Sequence, residues 1–332
     1  PPVAEQTPKI DVVFVLDTPG SMGGLIEGAK EKIWSIASSM AQAKPAPLIR
    51  MGLVAYRDRG DDYVTKVVDL SDDLDSVYAT LMDFQADGGG DGPESVNQAL
   101  HDAVNHMSWS SDQQTYKVMF LVGDAPPHMD YQDDVKYPQT LAKAVQQGIT
   151  VNAIQCGNDS STLPIWQQIA KLGSGQSFQV DQSGGAIAIA TPYDEHIASL
   201  SSSLDETRIY FGTEQQRAAK QSKVAATDKL HAEASVAVRA RRAVFNASAS
   251  GERNLLGEQE LVEAVTEGKL DLKDIDSDML PAPLQAMAPE EQLALVKEKA
   301  DRRDQLQRQI AELAEERDAF LKKKREELGT SH

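Results

Sequence analysis

The stretch DVVFVLDTPGSMG, residues 11–23, decides the fold of this 332-residue chain. A continuous apolar run of strand length ends in Asp17 and a glycine-containing turn, and a helical pattern follows directly. Such runs are typical of a buried central strand in a parallel sheet whose two faces are covered by helices. Because open α/β sheets bind ligands at the carboxyl ends of their strands, we expect Asp17 to lie at a functional edge.

A second stretch repeats this arrangement. YKVMFLVGD, residues 116–124, is an apolar strand that also ends in an aspartate, Asp124. Between the two strands, GGGDGPES, residues 88–95, is a glycine-rich loop in which Pro93 suits the first turn of a helix. Three loops are therefore predicted to meet at the edge where the two strands end.

These three segments, in this order and spacing, resemble the von Willebrand factor type A domain and its metal-ion-dependent adhesion site. The first motif of that family is DxSxS or DxTxS. Asp17 and Ser21 match this motif, and Asp124 matches the aspartate of the third segment. Pro19 stands where the middle hydroxyl is expected, and Gly92 stands where a loop threonine is expected.

The resemblance implies one divalent cation, Mg²⁺ or Mn²⁺, with an open coordination position for a carboxylate of a partner protein. Mg²⁺ requires oxygen ligands in nearly octahedral geometry, so each lost hydroxyl matters. Asp91, next to Gly92, can supply a carboxylate in place of the missing threonine, with Glu94 a more distant candidate. Weak binding through additional waters and a vestigial site are the alternatives. The implied metal ligands are Asp17, Ser21, Asp124 and Asp91.

Strand and helix patterns alternate along the first two thirds of the chain. This alternation predicts an α/β fold with a doubly wound, mostly parallel sheet flanked by helices. Residues 214–242, rich in Ala, Lys, Gln and Arg, are predicted to form one helix. The chain is thus expected to contain a von Willebrand-like domain at residues 8–212, a helical linker region at 213–285 and a long helix at 286–329.

The last predicted helix begins near Pro289, and Gly329 follows its end. Five of its residues alternate four and three positions apart, which is typical of a coiled-coil seam. They are Leu306, Ile310, Leu313, Arg317 and Phe320. This seam fits a homodimer formed through the helix as well as a hairpin folded back onto residues 214–246.

Other function classes fit less well. The residues DTPG at 17–20 resemble a switch of GTP-binding proteins, but no GxxxxGK[ST] phosphate loop precedes them. His128 is the candidate base of an Asp/His-dependent hydrolase, yet no pair of nucleophile and base is evident. The six histidines show no HExxH spacing. We therefore predict a protein without enzymatic activity.

Charge and cysteine content limit the partners and the compartment. Residues 1–212 carry 13 Lys and Arg against 28 Asp and Glu, which argues against nucleic acid and favours divalent cations or a basic partner surface. No run reaches the roughly 18 to 20 apolar residues that cross a bilayer. Residues 1–8 look like a tether that follows a cleaved signal or a membrane anchor, and Cys156 is the one cysteine. We expect a periplasmic or cell-surface protein, with the cytoplasm as the alternative.

The predicted function is therefore that of a protein-binding module. Its acidic rim captures a partner, with Mg²⁺ or Mn²⁺ as the predicted cofactor, and its helical arm serves assembly. A metal-independent scaffold that acts through the helical arm is the alternative.

Overall fold

The computed structural model describes residues 7–18, 23–84, 93–181 and 189–327. The chain divides between residues 187 and 188 into two compact parts, the first unit and the second unit. The predicted boundary at residue 212 lies later, because the helix at residues 194–205 packs with helices of the second unit. None of the helices in the described ranges has the length and apolar content that a bilayer crossing requires.

Six strands form one sheet in the first unit. They are β1 (Lys9–Asp17), β2 (Leu48–Tyr56), β3 (Thr65–Ser71), β4 (Tyr116–Gly123), β5 (Ile149–Cys156) and β6 (Ser174–Val180). Their order across the sheet is β3-β2-β1-β4-β5-β6, and only β3 runs antiparallel to its neighbour. The predicted doubly wound, mostly parallel sheet is confirmed.

Helices cover both faces of this sheet, which is why the β1 run is apolar without alternation. On one face, Phe14 and Leu16 of β1 line a small apolar cavity against the first helix. On the other face, Val13 and Val15 join a core formed with three later helices. The helices of the first unit are α1 (Gly23–Met40), α2 (Leu74–Met82), α3 (Val96–Asn105), α4 (Tyr137–Gln146) and α5 (Thr162–Leu172).

The second unit is helical throughout its described residues, apart from turns and one isolated bridge. Its helices are α6 (Asp194–Asp205), α7 (Glu214–Glu233), α8 (Val236–Asn246), α9 (Glu252–Leu256), α10 (Leu261–Thr266), α11 (Ala282–Gln285) and α12 (Pro289–Glu327). The prediction of a single helix at residues 214–242 is wrong, because one helix ends at Glu233 and a second begins at Val236. The Ser235 side chain accepts a hydrogen bond from the backbone N–H of Val238 and so caps a new helix.

The predicted seam of α12 lies against helices of the same unit. Leu306 and Ile310 are fully buried in a core with residues of α6 and α8. Arg317, the charged member of the seam, is also buried, and its Nε donates to Asp194 Oδ1 over 2.7 Å. The apolar seam is thus covered within its own unit by α6 and α8. Of these, α8 lies within residues 214–246, the region of the hairpin alternative, and α6 lies before it.

Candidate functional site

The carboxyl ends of β1 and β4 meet at the centre of the sheet. In the parallel pairing of these strands, Leu16 lies beside Val122, so Asp17 follows at the level of Gly123 and Asp124 comes next. In the sheet, β2 lies on one side of the β1–β4 pair and β5 lies on the other side. Doubly wound folds form a binding crevice where the strand order reverses in this way. The structure brings Asp17 and Asp124 together, as the sequence predicts.

Asp17 is fully buried, and its carboxylate is unusual. Neither oxygen has a hydrogen-bond partner of normal geometry among the described residues. Burial raises the pKa of Asp17 well above 3.8, and the charges of Glu94 and Asp124 raise it further. The backbone N–H groups of Asp124 and Thr18 lower it by less. An ionised carboxylate in this position requires a positive charge from elsewhere.

Gly123 packs directly against this carboxylate. A Cβ atom at this glycine would lie 2.5 Å from the Tyr56 hydroxyl and 3.0 Å from Asp17 Oδ2. The buried Tyr56 hydroxyl also has no hydrogen-bond partner among the described residues, and burial raises the pKa of this phenol well above 10. The oxygen atoms of two side chains therefore lie so close to the backbone of Gly123 that a methyl group at this position would overlap them.

Thr18 fixes the chain directly after Asp17. Its side chain donates to the backbone oxygen of Tyr56 over 3.0 Å and hydrogen-bonds to the Tyr63 hydroxyl over 2.6 Å. Thr18 thus ties β1 to β2 and has no free hydroxyl for a ligand. The next four residues, among them the predicted ligand Ser21 and the departure Pro19, lie outside the described residues.

The glycine-rich loop reaches this edge through Glu94. Asp91, the predicted carboxylate ligand, and Gly92 lie outside the described residues. Glu94 is described, is 3% exposed and contributes the largest charge effect on the pKa of Asp17. The sequence analysis considered Glu94 only as the more distant candidate. No local pattern in the sequence indicates this placement, since it depends on a bridge between Glu94 and Pro127.

His128, the candidate base of a hydrolase, is held in a cluster of side chains beside this edge. Its Nδ1 lies 2.8 Å from Asp130 Oδ1, and its Nε2 lies 3.2 Å from Asp58 Oδ2. Its ring stacks on Tyr131 with ring centres 4.2 Å apart. Within the described residues no hydroxyl or thiol hydrogen-bonds to this imidazole. The arrangement ties loops together and does not resemble a pair of nucleophile and base.

The donor set at the edge suits a hard divalent cation. Carboxylate oxygens dominate it, and Mg²⁺ and Mn²⁺ prefer oxygen ligands. The buried oxygens of Asp17, which lack a hydrogen-bond partner of normal geometry among the described residues, fit an ion of this class. Such an ion would supply a positive charge to the buried carboxylate of Asp17.

Known proteins resemble part of this chain. The von Willebrand factor A domain-containing protein 7 of Rattus norvegicus is 36% identical over 121 residues, which are 36% of this chain and 12% of the relative. The Homo sapiens protein of the same name is 34% identical over the same share of each chain. The chain therefore spans about an eighth of the length of these curated relatives.

A solved structure and a family profile complete the comparison. The VWA domain of SpRpn10 is 13% identical, with a TM-score of 0.39, and the match covers 52% of this chain and 88% of that domain. The profile of the von Willebrand factor A domain matches residues 11–182, just over half of the 332 residues. This chain belongs to the von Willebrand factor A domain family.

Proposed function

We propose that the first unit captures a protein partner at the carboxyl edge of its sheet and does so through a bound Mg²⁺ or Mn²⁺. Domains of this family are generally protein-interaction modules. In this proposal Asp17 and Asp124 hold the cation together with Ser21 and Asp91. The open coordination position takes a carboxylate of the partner, and the acidic surface around it attracts basic groups.

The observation that carries this proposal is the buried carboxylate of Asp17. A charged group without partners at full burial is unfavourable by several kcal/mol or more. Two arrangements relieve it: a proton, which the raised pKa of Asp17 favours in the absence of metal, or a cation. A protein that kept the proton would have no need of two further acids beside Asp17. A cation explains all three together.

Isothermal titration with Mg²⁺ and with Mn²⁺ tests the cation. We expect binding heats for the chain and their loss in Asp124→Ala, with circular dichroism to show that the variant is folded. Equal and negligible heats for both proteins would end the metal proposal.

A second group of acids requires a control in this titration. Glu252, Glu263 and Glu267 of the second unit place carboxylate oxygens within 4.8 Å of one another. Exposed acids of this kind bind divalent ions weakly and without specificity. Glu263→Gln should therefore leave the tight binding event unchanged. If Glu263→Gln removes that event and Asp124→Ala keeps it, the ion binds in the second unit.

The scaffold alternative depends on the exposed part of α12. Since Leu306 and Ile310 are buried within the second unit, a homodimer through the predicted seam would have to open that core. We therefore propose that α12 stabilises the second unit and does not dimerise the chain. Light scattering at several concentrations should give the mass of one chain, and a dimer mass would restore the seam. Export to the periplasm or cell surface stays a prediction.

A further inference from the structure

Two histidines lie next to one aspartate at the end of α3. His101 and Asp102 belong to the helix, and His106 caps it, with a backbone N–H that donates to the backbone oxygen of Asp102 over 2.8 Å. The Nδ1 atoms of His101 and His106 lie 3.6 and 3.2 Å from the same atom, Asp102 Oδ1. Three side chains that commonly bind metal ions therefore meet within the six residues HDAVNH, 101–106.

The carboxylate of Asp102 is held in one orientation. The residue is 4% exposed. The Gln98 side chain donates to its Oδ1 over 2.7 Å, and the Thr65 hydroxyl of β3 donates to its Oδ2 over 2.6 Å. In the part of the chain that the structure describes, its ion-pair partners are the two imidazoles. Carboxylates that bind metal ions are commonly fixed by hydrogen bonds of this kind, so Asp102 is a prepared ligand.

The two imidazole rings are close enough to share an ion after a small rotation. Their centres lie 5.8 Å apart, with an angle of 82° between the ring planes. Two imidazoles on one tetrahedral ion have their centres about 5 Å apart. Within the described residues the three ligand atoms do not all lie within 4.8 Å of one another, so the rings must turn towards each other. The His106 side chain is 58% exposed, and its ring can therefore turn without opening the core.

This cluster is separate from the carboxyl edge of the sheet. The chain reaches that edge just before α3, where the backbone of Glu94 forms a bridge with Pro127 after β4. The ten residues of α3 then lead away from the edge, and at 1.5 Å per residue its last turn lies about 15 Å from its first. The carboxyl end of a helix carries a partial negative charge, which adds to that of Asp102 and favours a cation.

We propose that His101, Asp102 and His106 bind one Zn²⁺ at the end of α3. Two imidazole nitrogens and one carboxylate oxygen are three protein ligands of a tetrahedral site, in which a water takes the fourth position. Nitrogen ligands favour Zn²⁺ over Mg²⁺, which prefers oxygen. The ion joins the end of α3 to Asp102 and, through the hydrogen bond of Thr65, to β3. This inference does not depend on a cation at the sheet edge.

Calorimetric titration with Zn²⁺ in excess Mg²⁺ tests the inference, because Mg²⁺ occupies sites made of oxygen ligands alone. The unsubstituted chain should bind one Zn²⁺. His106→Ala and His101→Ala should each weaken this binding by about tenfold or more, since each removes a ligand. His196→Ala removes an exposed histidine of α6 and should leave the affinity unchanged. Asp124→Ala at the sheet edge should also keep it.

Visible absorption of bound Co²⁺ tests the ligand set itself. Co²⁺ takes the place of Zn²⁺, and its visible bands are far more intense in a tetrahedral site than in an octahedral one, so they report geometry. These bands should appear with the unsubstituted chain and with His196→Ala, and Zn²⁺ should abolish them while Mg²⁺ does not. They should be lost in His106→Ala. Asp102→Asn should weaken them, because the carboxamide is a poorer ligand than the carboxylate.

Thermal unfolding followed by tryptophan fluorescence separates metal binding from a purely structural role of the histidines. Zn²⁺ should raise the unfolding midpoint of the unsubstituted chain and of His196→Ala equally, and that of His106→Ala by less. If His106→Ala lowers the midpoint without metal but binds Zn²⁺ as tightly as the unsubstituted chain, the histidine only pairs with Asp102 and the inference is overturned. An unsubstituted chain that binds no Zn²⁺, or one that loses it in Asp124→Ala alone, overturns it as well.

Discussion

Buried carboxylates in the second unit lie against arginines, whereas the buried carboxylate of Asp17 in the first unit has no hydrogen-bond partner of normal geometry among the described residues. The described residues of the second unit contain three such pairs with donor to acceptor distances of 2.7 to 3.1 Å. They are Asp205 with Arg242, Glu260 with Arg303, and Asp194 with Arg317.

This difference shows two ways of compensating a buried negative charge. An arginine supplies compensation as soon as the chain folds, and its planar guanidinium binds a carboxylate through two parallel hydrogen bonds. A site without such a partner stays poorly compensated until an external ion binds, so its stability depends on that ion. We therefore expect the second unit to be indifferent to divalent cations at its arginine pairs and the first unit to respond to them.

The largest expected effect is the loss of an arginine pair. Arg303→Ala leaves Glu260 buried at 2% exposure without its guanidinium, and breaking a buried pair in this way costs about 3–5 kcal/mol. Urea unfolding followed by circular dichroism should show the loss. Arg302→Ala, its exposed neighbour on α12, is the control and should cost less than about 0.5 kcal/mol. Equal losses would show that the pair contributes little.

The next expected effect is a gain in stability, and it concerns the first unit. Without divalent cations, Asp17→Asn should raise the free energy of unfolding by about 1–3 kcal/mol, because folding no longer has to protonate a carboxylate or bury its charge at this position. The tryptophans, at positions 34, 109 and 166, all lie in the first unit, so their fluorescence reports this unit. The matched variant Asp194→Asn in the second unit should lower stability. A lower unfolding midpoint for Asp17→Asn would mean that the Asp17 carboxylate already has stabilising partners in the folded chain.

Adding a divalent cation tests the same difference between the unsubstituted chain and Asp17→Asn. Adding Mn²⁺ should raise the unfolding midpoint of the first unit in the unsubstituted chain and leave that of Asp17→Asn nearly unchanged. An equal rise in both proteins would place the ion elsewhere.

An effect of similar size is expected where Gly123 packs against Asp17 and Tyr56. Gly123→Ala places a methyl group 2.5 Å from the Tyr56 hydroxyl, and such overpacking costs about 1–3 kcal/mol. The double variant Gly123→Ala with Tyr56→Phe removes the hydroxyl and should recover part of the loss, as measured by tryptophan fluorescence during urea unfolding. Additive losses would show that the methyl group clashes with something other than Tyr56.

Much of the sheet and the meeting of Asp17 with Asp124 at its edge could be predicted from the sequence. The apolar runs before Asp17 and Asp124 are long and continuous, and parallel strands place their carboxyl ends together. The position of Glu94 could not be predicted, because it depends on a bridge to Pro127 that forms only when two distant loops meet. Local sequence patterns do not indicate such a contact.

The second unit was harder to predict for the same reason. Arg317 interrupts an otherwise apolar seam, and the sequence alone does not reveal that Asp194, 123 residues earlier, is its partner. The break between α7 and α8 had a local signal, since serine at position 235 is a favoured helix cap. Alanine-rich and arginine-rich residues on both sides of Ser235 favour helix so strongly that this signal was missed.

The smallest expected effect is a pH dependence of the second unit. Burial alone would raise the pKa of Asp205, but the charge of Arg242 and the hydrogen bond from His231 outweigh it and hold the pKa below 3.8 in the folded protein. The unfolded chain therefore binds more protons in this range, so Asp205 stabilises the fold above pH 3.8 and loses this contribution as the pH falls towards its folded pKa.

For one group the slope is about 1.4 kcal/mol per pH unit at most. Urea unfolding followed by circular dichroism, at a series of pH values below neutrality, should show this decline in the unsubstituted chain. Asp205→Asn should be less stable at neutral pH and should show a shallower decline below pH 3.8, because the variant has no proton to bind at this position. A decline of the same slope in both proteins would assign the acid sensitivity to other carboxylates and leave the Arg242 pair without a measurable part in it.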